Sequence, residues 1–288
     1  MKICDIYRDK KIVFSCEVFP PKPGADKEAI LQTIKELQAI SPDFISVTYG
    51  AAGETKVGTI EMATRIKKTY NIEPLMHLTC MENKKKDIDK ILNKINHKGI
   101  ENILALRGDI PADRKLRTIA SDFTHASDLT AYIKNYTGKF CLGVAGYPEG
   151  HPEAYSMEKD IKNLTKKIQA GASFIITQMF FKNDFFYVYL DKIREMGISV
   201  PVSAGIMPVF KAKLLSKMIN LSRATIPSRL ISLIEKYGDN DSEMEKAGIE
   251  FAVKQIEDLI GHGVEGIHLF TMNRSSLARK ISSYSNLR

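Results

Sequence analysis

The stretch NILALRGD, Asn102 to Asp109, predicts a buried strand that ends at a charged loop. Four apolar residues, Ile103 to Leu106, form an unbroken run, which is typical of a parallel strand covered on both faces. The run stops at Arg107, Gly108 and Asp109, which place a cation, a flexible residue and an anion in consecutive positions. Ligands of α/β sheets and barrels bind just beyond the carboxyl ends of strands, so these residues are candidates for a site. A solvated strand exit explains the pattern equally well.

The alternation of an apolar run with an amphipathic segment extends in both directions from this stretch. Met157, Ile161, Leu164 and Ile168 share one face of the clearest predicted helix. The eight predicted strands are Lys11–Phe19, Phe44–Thr48, Pro74–Thr79, Asn102–Leu106, Phe140–Ala145, Phe174–Gln178, Pro201–Ile206 and Gly266–Phe270.

Eight strand–helix units without a linker predict one α/β domain, a single (β/α)8 TIM barrel covering residues 1–288. An extra helical region at about 211–262, interrupted by Pro227 and by the turn Gly238–Asp241, precedes the last strand. A doubly wound sheet is the alternative, but the phosphate-binding pattern G-x-G-x-x-G does not follow the first strand.

The composition indicates which kinds of ligand and partner to expect. Lys and Arg number 42 against 34 Asp and Glu, a net charge of +8 that fits an anionic ligand or simply a basic surface. No basic block is interleaved with aromatic residues, so we expect no nucleic acid partner. No apolar run is long enough to span a bilayer and no signal-peptide core is present, so we expect no membrane association. The four cysteines lack a metal-binding spacing, which predicts no metal site and fits the reducing cytoplasm.

Polar residues gather where the predicted strands end, which indicates a small-molecule site. Glu17 lies inside an apolar strand, between Cys16 and Val18. Desolvation there would raise the pKa of its carboxyl and make it an acid near neutral pH, whereas a structural ion pair is the alternative. The polar residues at the other strand ends are Thr48, Tyr49, His77, Thr79, Arg107, Asp109, Tyr147, Glu149, His151, Glu153, Thr177, Gln178, Thr271, Asn273 and Arg274.

A polar stripe runs beside the apolar face of the helix that begins at Met157. Asp160, Asn163 and Lys167 stand at positions i, i+3 and i+7, so they share one side of that helix. A solvated helix flank explains this stripe without any function.

Eight strings, in order and spread over nearly the whole chain, resemble the methylenetetrahydrofolate reductase family in its bacterial single-domain type. The strings are SCEVFPP from Ser15, SVTYGA from Ser46, HLTC from His77, ALRGD from Ala105, YPEGHPEA from Tyr147, ITQMFF from Ile176, GIMPV from Gly205 and TMNR from Thr271. The family fold is a flavin-containing (β/α)8 barrel, which agrees with the strand count.

The resemblance implies a flavoenzyme of one-carbon and methionine metabolism or of the acetyl-CoA pathway. NADH or NADPH would reduce FAD, and the flavin would then reduce 5,10-methylenetetrahydrofolate to 5-methyltetrahydrofolate with ping-pong kinetics. The family is commonly oligomeric, so a homo-oligomer is expected. The alternatives are a non-catalytic folate-binding subunit of a complex and a folate-dependent barrel methyltransferase.

The resemblance also assigns roles to single residues. Glu17 matches the catalytic acid that protonates the folate nitrogen, and Asp109 matches a carboxylate beside both the flavin ring and the folate. Gln178 and Arg274 match substrate contacts. The positions that match FAD contacts are Thr48, His77, Arg107, Gly108, Asp109, Ala120, Tyr147, His151, Ala154, Asp160, Asn163, Lys166 and Lys167.

Two positions depart from the family. Leu214 stands where the family often has a folate-contacting glutamine, and Met218 stands where it often has a phenylalanine that holds the nicotinamide or the folate ring. The missing aromatic face weakens the case for NADH as the direct donor. It leaves an electron-transfer partner subunit as an alternative, since some short reductases of this kind work with one.

Overall fold

Eight strands close into one parallel barrel in the order of the chain, as predicted. The computed structural model describes residues 1–21, 24, 27–49, 53–81, 83–109, 121–137, 139–213 and 224–285. The strands are β1 (Val13–Val18), β2 (Phe44–Val47), β3 (Glu73–Thr79), β4 (Asn102–Leu106), β5 (Cys141–Gly146), β6 (Phe174–Thr177), β7 (Val202–Ile206) and β8 (Gly266–Phe270). Each differs from its predicted range by two residues or fewer at either end.

Helices follow the strands and cover the outside of the barrel. Among the described residues between β7 and β8 there are two of these helices, which begin after Pro227 and after Asn240, at the predicted interruptions. Within the described ranges the helices are α1 (Ile3–Asp9), α2 (Lys27–Gln38), α3 (Gly53–Tyr70), α4 (Lys85–His97), α5 (Ala126–Thr137), α6 (Met157–Gln169), α7 (Asn183–Glu195), α8 (Ser228–Tyr237), α9 (Asp241–Gly261) and α10 (Ser275–Tyr284). None of these helices is long and apolar enough to cross a bilayer.

Helix α1, which the sequence analysis did not predict, closes the amino-terminal end of the barrel. Its buried Ile3 and Ile6 pack in one cluster with inward-facing strand residues such as Phe44 and Phe174. The amide of Ile3 donates a hydrogen bond to Asn102 Oδ1 at 2.8 Å, which fixes the helix on β4. The helix has seven residues, too few for a clear periodic pattern, so its stability comes from this packing.

The barrel interior becomes polar above this apolar floor. Ser15, Ser46, His77 and His268 are all buried there. The strand register pairs Ser15 with His268 of β8, and Glu17 lies two residues further along β1. Successive inward-facing residues are two apart in a strand, so Glu17 lies one layer nearer the carboxyl end than Ser15 and His268.

Candidate active site

Glu17 projects into the barrel near its carboxyl end, between two imidazoles from other strands. Its Oε2 lies 3.6 Å from His77 Nε2 and 3.9 Å from His268 Nε2, and 18% of its side chain is exposed. Thr271, which follows β8, donates a hydrogen bond to the backbone carbonyl of Glu17 at 2.5 Å. The carboxylate is therefore held on a fixed strand segment with a narrow opening to solvent.

His77 is the second titratable group of this cluster. Burial lowers its pKa to about 4, although the charge of Glu17 acts in the opposite direction. His77 is therefore uncharged near neutral pH. Its Nε2 is buried without a hydrogen bond to any described residue, so the atom is available to a ligand in the barrel mouth.

The expected rise in the pKa of Glu17 is wrong for this pocket. Burial does raise it, but a hydrogen bond from His268, the charges of His77 and His268 and a hydrogen bond from Ser46 together lower it below its usual value. Because His77 is uncharged near neutral pH, we attribute the lowering there to His268 and Ser46. Sequence alone showed the apolar neighbours of Glu17 along β1 but not the groups that β2 and β8 bring to it.

A second feature at the carboxyl ends of β4 and β5 is a cavity of about 380 Å³. Eight of the residues predicted to bind FAD line it: Arg107, Tyr147, His151, Ala154, Asp160, Asn163, Lys166 and Lys167. The loops after β4 and β5 and one side of α6 supply them. The polar stripe of α6 is therefore part of a cavity wall, and its Asp160 is buried, so the interpretation as a solvated flank is wrong for this residue.

Lys167 and Asp160 place a cation and an anion in the wall of this cavity. Lys167 Nζ donates a hydrogen bond to the carbonyl of Ala145 at 2.7 Å and lies 5.7 Å from the centre of the Tyr147 ring. Burial lowers the pKa of Lys167 to about 8, against the charge of Asp160. Burial likewise raises the pKa of Asp160, against the charges of Lys167 and His151. Both groups have lost much of their hydration, so a charged or hydrogen-bonding ligand would interact more strongly with them than with exposed side chains.

Arg107 reaches the same cavity from the end of β4 and forms a two-pronged ion pair with Glu153. The distances from Nη1 and Nη2 to the two carboxylate oxygens are 2.6 and 2.7 Å. The hydrogen bonds from Arg107 lower the pKa of Glu153. Glu153 is exposed, so it can move away and leave the guanidinium free for an anionic ligand.

Gly108 allows the chain to turn sharply between Arg107 and Asp109. Its φ is +89°, and an added Cβ would lie 3.0 Å from Thr79 Cβ on the neighbouring strand. The position therefore needs glycine both for the left-handed conformation and for the close approach of β3.

Gly108→Ala is expected to destabilise the fold more than Gly197→Ala, its matched control. Gly197 has a φ of +78° but nothing within 4 Å of an added Cβ, so it carries the conformational cost alone. Crowding against Thr79 adds about 1 kcal/mol or more to the loss at Gly108. Urea unfolding of both variants measures the difference, and equal losses of unfolding free energy would contradict the crowding argument.

The remaining predicted site residues that the structure describes lie outside the cavity wall. Thr48 donates its amide to the carbonyl of Val18 at 3.0 Å, next to Glu17, and Asp109 is exposed beyond β4. Gln178 follows β6, and its Oε1 accepts a hydrogen bond from the amide of Met179. Ala120, Leu214 and Met218 lie outside the described residues.

Arg274, predicted to contact substrate, is held between two groups. It donates a hydrogen bond to Glu245 Oε2 at 2.8 Å, and its guanidinium lies 4.5 Å from the centre of the Phe210 ring. The ion pair and the aromatic contact fix a cation at the carboxyl end of β8.

Sequence reasoning missed two groups of residues at these sites. His268 lies within the predicted strand Gly266–Phe270, but no pattern singled it out as a site residue. His125 and the start of α5 contribute cavity-lining residues that no pattern indicated, because 18 residues, 107–124, separate β4 from the first of them by sequence. The polar or aromatic residues of the lining that the sequence analysis did not name are His125, Ser127, Asp128, Tyr155 and Lys159.

Comparisons with known proteins agree on one family. A family model described as methylenetetrahydrofolate reductase matches residues 2–286. A protein named "Methylenetetrahydrofolate reductase (NADH) 1" from Arabidopsis thaliana is 35% identical over 283 residues, which are 94% of this chain and 48% of that protein. A protein named "5,10-methylenetetrahydrofolate reductase" from Pectobacterium carotovorum is 34% identical over 272 residues, which are 94% of this chain and 89% of that protein. The chain thus spans about half the length of its plant relative and most of its bacterial one.

A solved structure supports the fold. An uncharacterised protein from Clostridium thermocellum, described as binding two copies of 5-methyl-5,6,7,8-tetrahydrofolic acid, superimposes with a TM-score of 0.64. The alignment covers 100% of this chain and 99% of that one at 12% sequence identity, so the similarity extends to the barrel alone.

Proposed function

The chain belongs to the methylenetetrahydrofolate reductase family, and we propose that it reduces 5,10-methylenetetrahydrofolate to 5-methyltetrahydrofolate with FAD as its cofactor. The observation that carries this proposal is the arrangement at the carboxyl end of the barrel. A partly buried carboxylate, Glu17, lies in the barrel mouth, and a cavity with cationic groups opens beside β4 and β5. An acid and a site for an anionic cofactor are the two parts that the reaction requires.

The cavity residues fit a flavin dinucleotide. Lys167 and Arg107 are cations suited to a pyrophosphate, and Lys166 adds a third positive charge to the lining. Tyr147 offers an aromatic face, and Asp160 and Asn163 offer groups that hydrogen-bond to hydroxyls. The buried Nε2 of His77 offers a polar partner nearer the barrel axis. FAD, when bound, supplies the hydride-transfer chemistry, which no amino-acid side chain provides.

Glu17 is proposed as the acid that protonates the substrate nitrogen. Its carboxyl group lies in the barrel mouth with limited exposure to solvent, and Thr271 fixes its backbone. Asp109 is proposed as the carboxylate near the flavin ring, where a negative charge disfavours a second anion. Gln178 and Arg274 are proposed to orient the substrate, Arg274 by pairing with an anionic tail once Glu245 gives way.

The electron donor is proposed to be NADH or NADPH, with a partner subunit as the alternative because Met218 replaces the usual phenylalanine. The plant relative carries NADH in its name. Two-step ping-pong transfer, a homo-oligomeric assembly and a role in one-carbon metabolism complete the proposal. The cytoplasm is the proposed compartment, and the four cysteines, all free thiols, support it.

The test is a visible absorption spectrum of the purified protein, followed without oxygen as NADH is added. A yellow protein that bleaches with NADH and regains its colour with methylenetetrahydrofolate supports the whole proposal. A yellow protein that bleaches only with 5-methyltetrahydrofolate supports the flavin but points to a partner subunit as donor.

Two other outcomes favour the alternative functions. A colourless protein that binds folate and transfers its methyl group would identify a barrel methyltransferase. A yellow protein that binds folate but exchanges no electrons with it would identify a non-catalytic subunit. The intact Glu17, Asp109 and Gln178 argue against the non-catalytic alternative, and the cationic cavity argues against the methyltransferase.

A further inference from the structure

His268 lies one layer deeper in the barrel than Glu17, and the proposed reaction gives it no role. Its side chain is 1% exposed. The Phe44 ring stacks on it at 6.1 Å, and the Phe270 ring meets it edge-on at 5.3 Å. A polar ring enclosed by aromatic groups in a barrel core needs hydrogen-bond partners on both nitrogens, since burying either one unpaired is costly.

Ser15 determines which nitrogen of His268 carries a hydrogen. The Ser15 hydroxyl has one hydrogen, and the carbonyl oxygen of Ile267, 3.3 Å away, is an acceptor for it. The Ser15 oxygen then accepts from His268 Nδ1 at the shorter distance of 2.7 Å. Nδ1 therefore carries a hydrogen, and in a neutral ring Nε2 would be a bare lone pair.

Nε2 is the nitrogen that faces Glu17. It lies 3.9 Å from Glu17 Oε2 and 3.3 Å from Ser46 Oγ. Ser46 has one hydroxyl hydrogen and can donate it to Nε2 or to Glu17 but not to both, so one of these two acceptors is left without a donor. Two unprotonated acceptors side by side repel each other in a site with little water, whereas one proton between them removes the repulsion. That proton rests either on the carboxyl group or on Nε2.

We propose that Glu17 and His268 hold one proton between them at neutral pH. His268 is then a positioning residue that keeps this proton beside the Glu17 carboxyl group. This inference rests on the proposed function for its catalytic meaning, but the shared proton is a property of the protein alone. The shared proton passes to the Glu17 carboxylate when it starts on Nε2, and this same proton is transferred when the Glu17 O–H bond breaks and an N–H bond forms on the substrate nitrogen. Solvent at the barrel mouth then replaces the one proton consumed in each cycle.

The groups around the pair favour keeping this proton. Among the described residues, the titratable side chain that faces the pair is His77 of β3, and burial leaves it uncharged near neutral pH. Its neighbours from β1 and β2 are the hydroxyls of Ser15 and Ser46, which are neutral. No cation of the described residues lies within ion-pair distance of Glu17 apart from these imidazoles, so the carboxylate charge is balanced chiefly by the proton itself.

Nuclear magnetic resonance on the cofactor-free wild-type protein tests the proposal directly. Triple-resonance spectra assign the His268 ring nitrogens and the Glu17 side-chain carboxyl carbon without any variant. At pH 7 we expect a protonated Nδ1, with a second proton on either Nε2 or the carboxyl group. A carboxylate at Glu17 together with a neutral His268 would overturn the proposal. No turnover is needed, so this outcome is independent of whether the proposed reaction occurs.

The pH dependence of folate reduction separates positioning from a merely structural role. In His268→Gln, Glu17 loses the imidazole with which it shares the proton. The upper pH limit of the folate half-reaction should therefore fall by at least one unit, and the rate at pH 8 should fall at least tenfold. Flavin content and reduction of the flavin by its donor should stay as in the wild type. A uniform loss at every pH, with an unchanged limit, would show that His268 only supports the structure. His97→Gln, at the exposed end of α4, is the matched control.

Discussion

Glu17→Gln is expected to stop reduction of methylenetetrahydrofolate while the protein keeps its flavin. Glutamine matches the size of glutamate and retains an oxygen for Ser46 and His268, but it has no proton to give to the substrate nitrogen. The loss of one general acid corresponds to a rate lower by about 10²–10⁴-fold. The cationic cavity beside β4 and β5 is built from other residues, so its affinity for FAD should not change.

Stopped-flow absorbance measures the two half-reactions of Glu17→Gln separately. Bleaching by the electron donor should keep its wild-type rate, and recovery of colour on adding the folate substrate should become the slow step. Glu195→Gln, at the exposed C-terminal end of α7, removes the same charge far from the strand ends and serves as the control. Wild-type recovery in Glu17→Gln would exclude Glu17 as the acid.

Lys167→Met is expected to release the flavin. Methionine preserves much of the apolar stem of the lysine, but it removes the ammonium that lies over the Tyr147 ring at the cavity wall. A hydrogen bond between charged groups contributes about 1.5–3 kcal/mol, so the dissociation constant for FAD should rise by roughly 10- to 150-fold. The buried Asp160 also loses its cationic partner, which adds to the loss.

Titration of the cofactor-free protein with FAD, followed by flavin fluorescence, gives the dissociation constants. The control is Lys162→Met, on the exposed side of the same helix. An unchanged dissociation constant in Lys167→Met would place the pyrophosphate away from α6.

The same lysine predicts how FAD affinity depends on pH. The pKa of Lys167 is about 8 in the free cavity, and an anionic ligand raises it by favouring the ammonium. Binding then takes up a proton above pH 8, so affinity should fall as pH rises, by up to about tenfold per unit. Lys167→Arg stays charged over this range and should flatten the dependence, whereas an equal pH dependence in that variant would assign the effect to another group.

Local patterns were sufficient to predict most of the barrel. Short apolar runs such as Ile103 to Leu106 are long enough for strands and too short for helices, and each is bounded by turn residues or by a helical period. Helix α1 was not predicted because its seven residues show no clear helical period, and packing against the end of the barrel stabilises the helix. Which residues line the cofactor cavity was predicted in part, since the motifs that carry the resemblance are themselves local strings.

The sequence by itself determined that Glu17 stands inside a strand and that Arg107, Gly108 and Asp109 follow one, because strand period and strand end are properties of neighbouring residues. Only the tertiary structure decided what Glu17 meets. His77 and His268 are 60 and 251 residues away along the chain, and barrel closure brings both imidazoles within 4 Å of its carboxylate. The pKa of a buried group depends on such spatial neighbours, so its direction could not be derived from the order of residues.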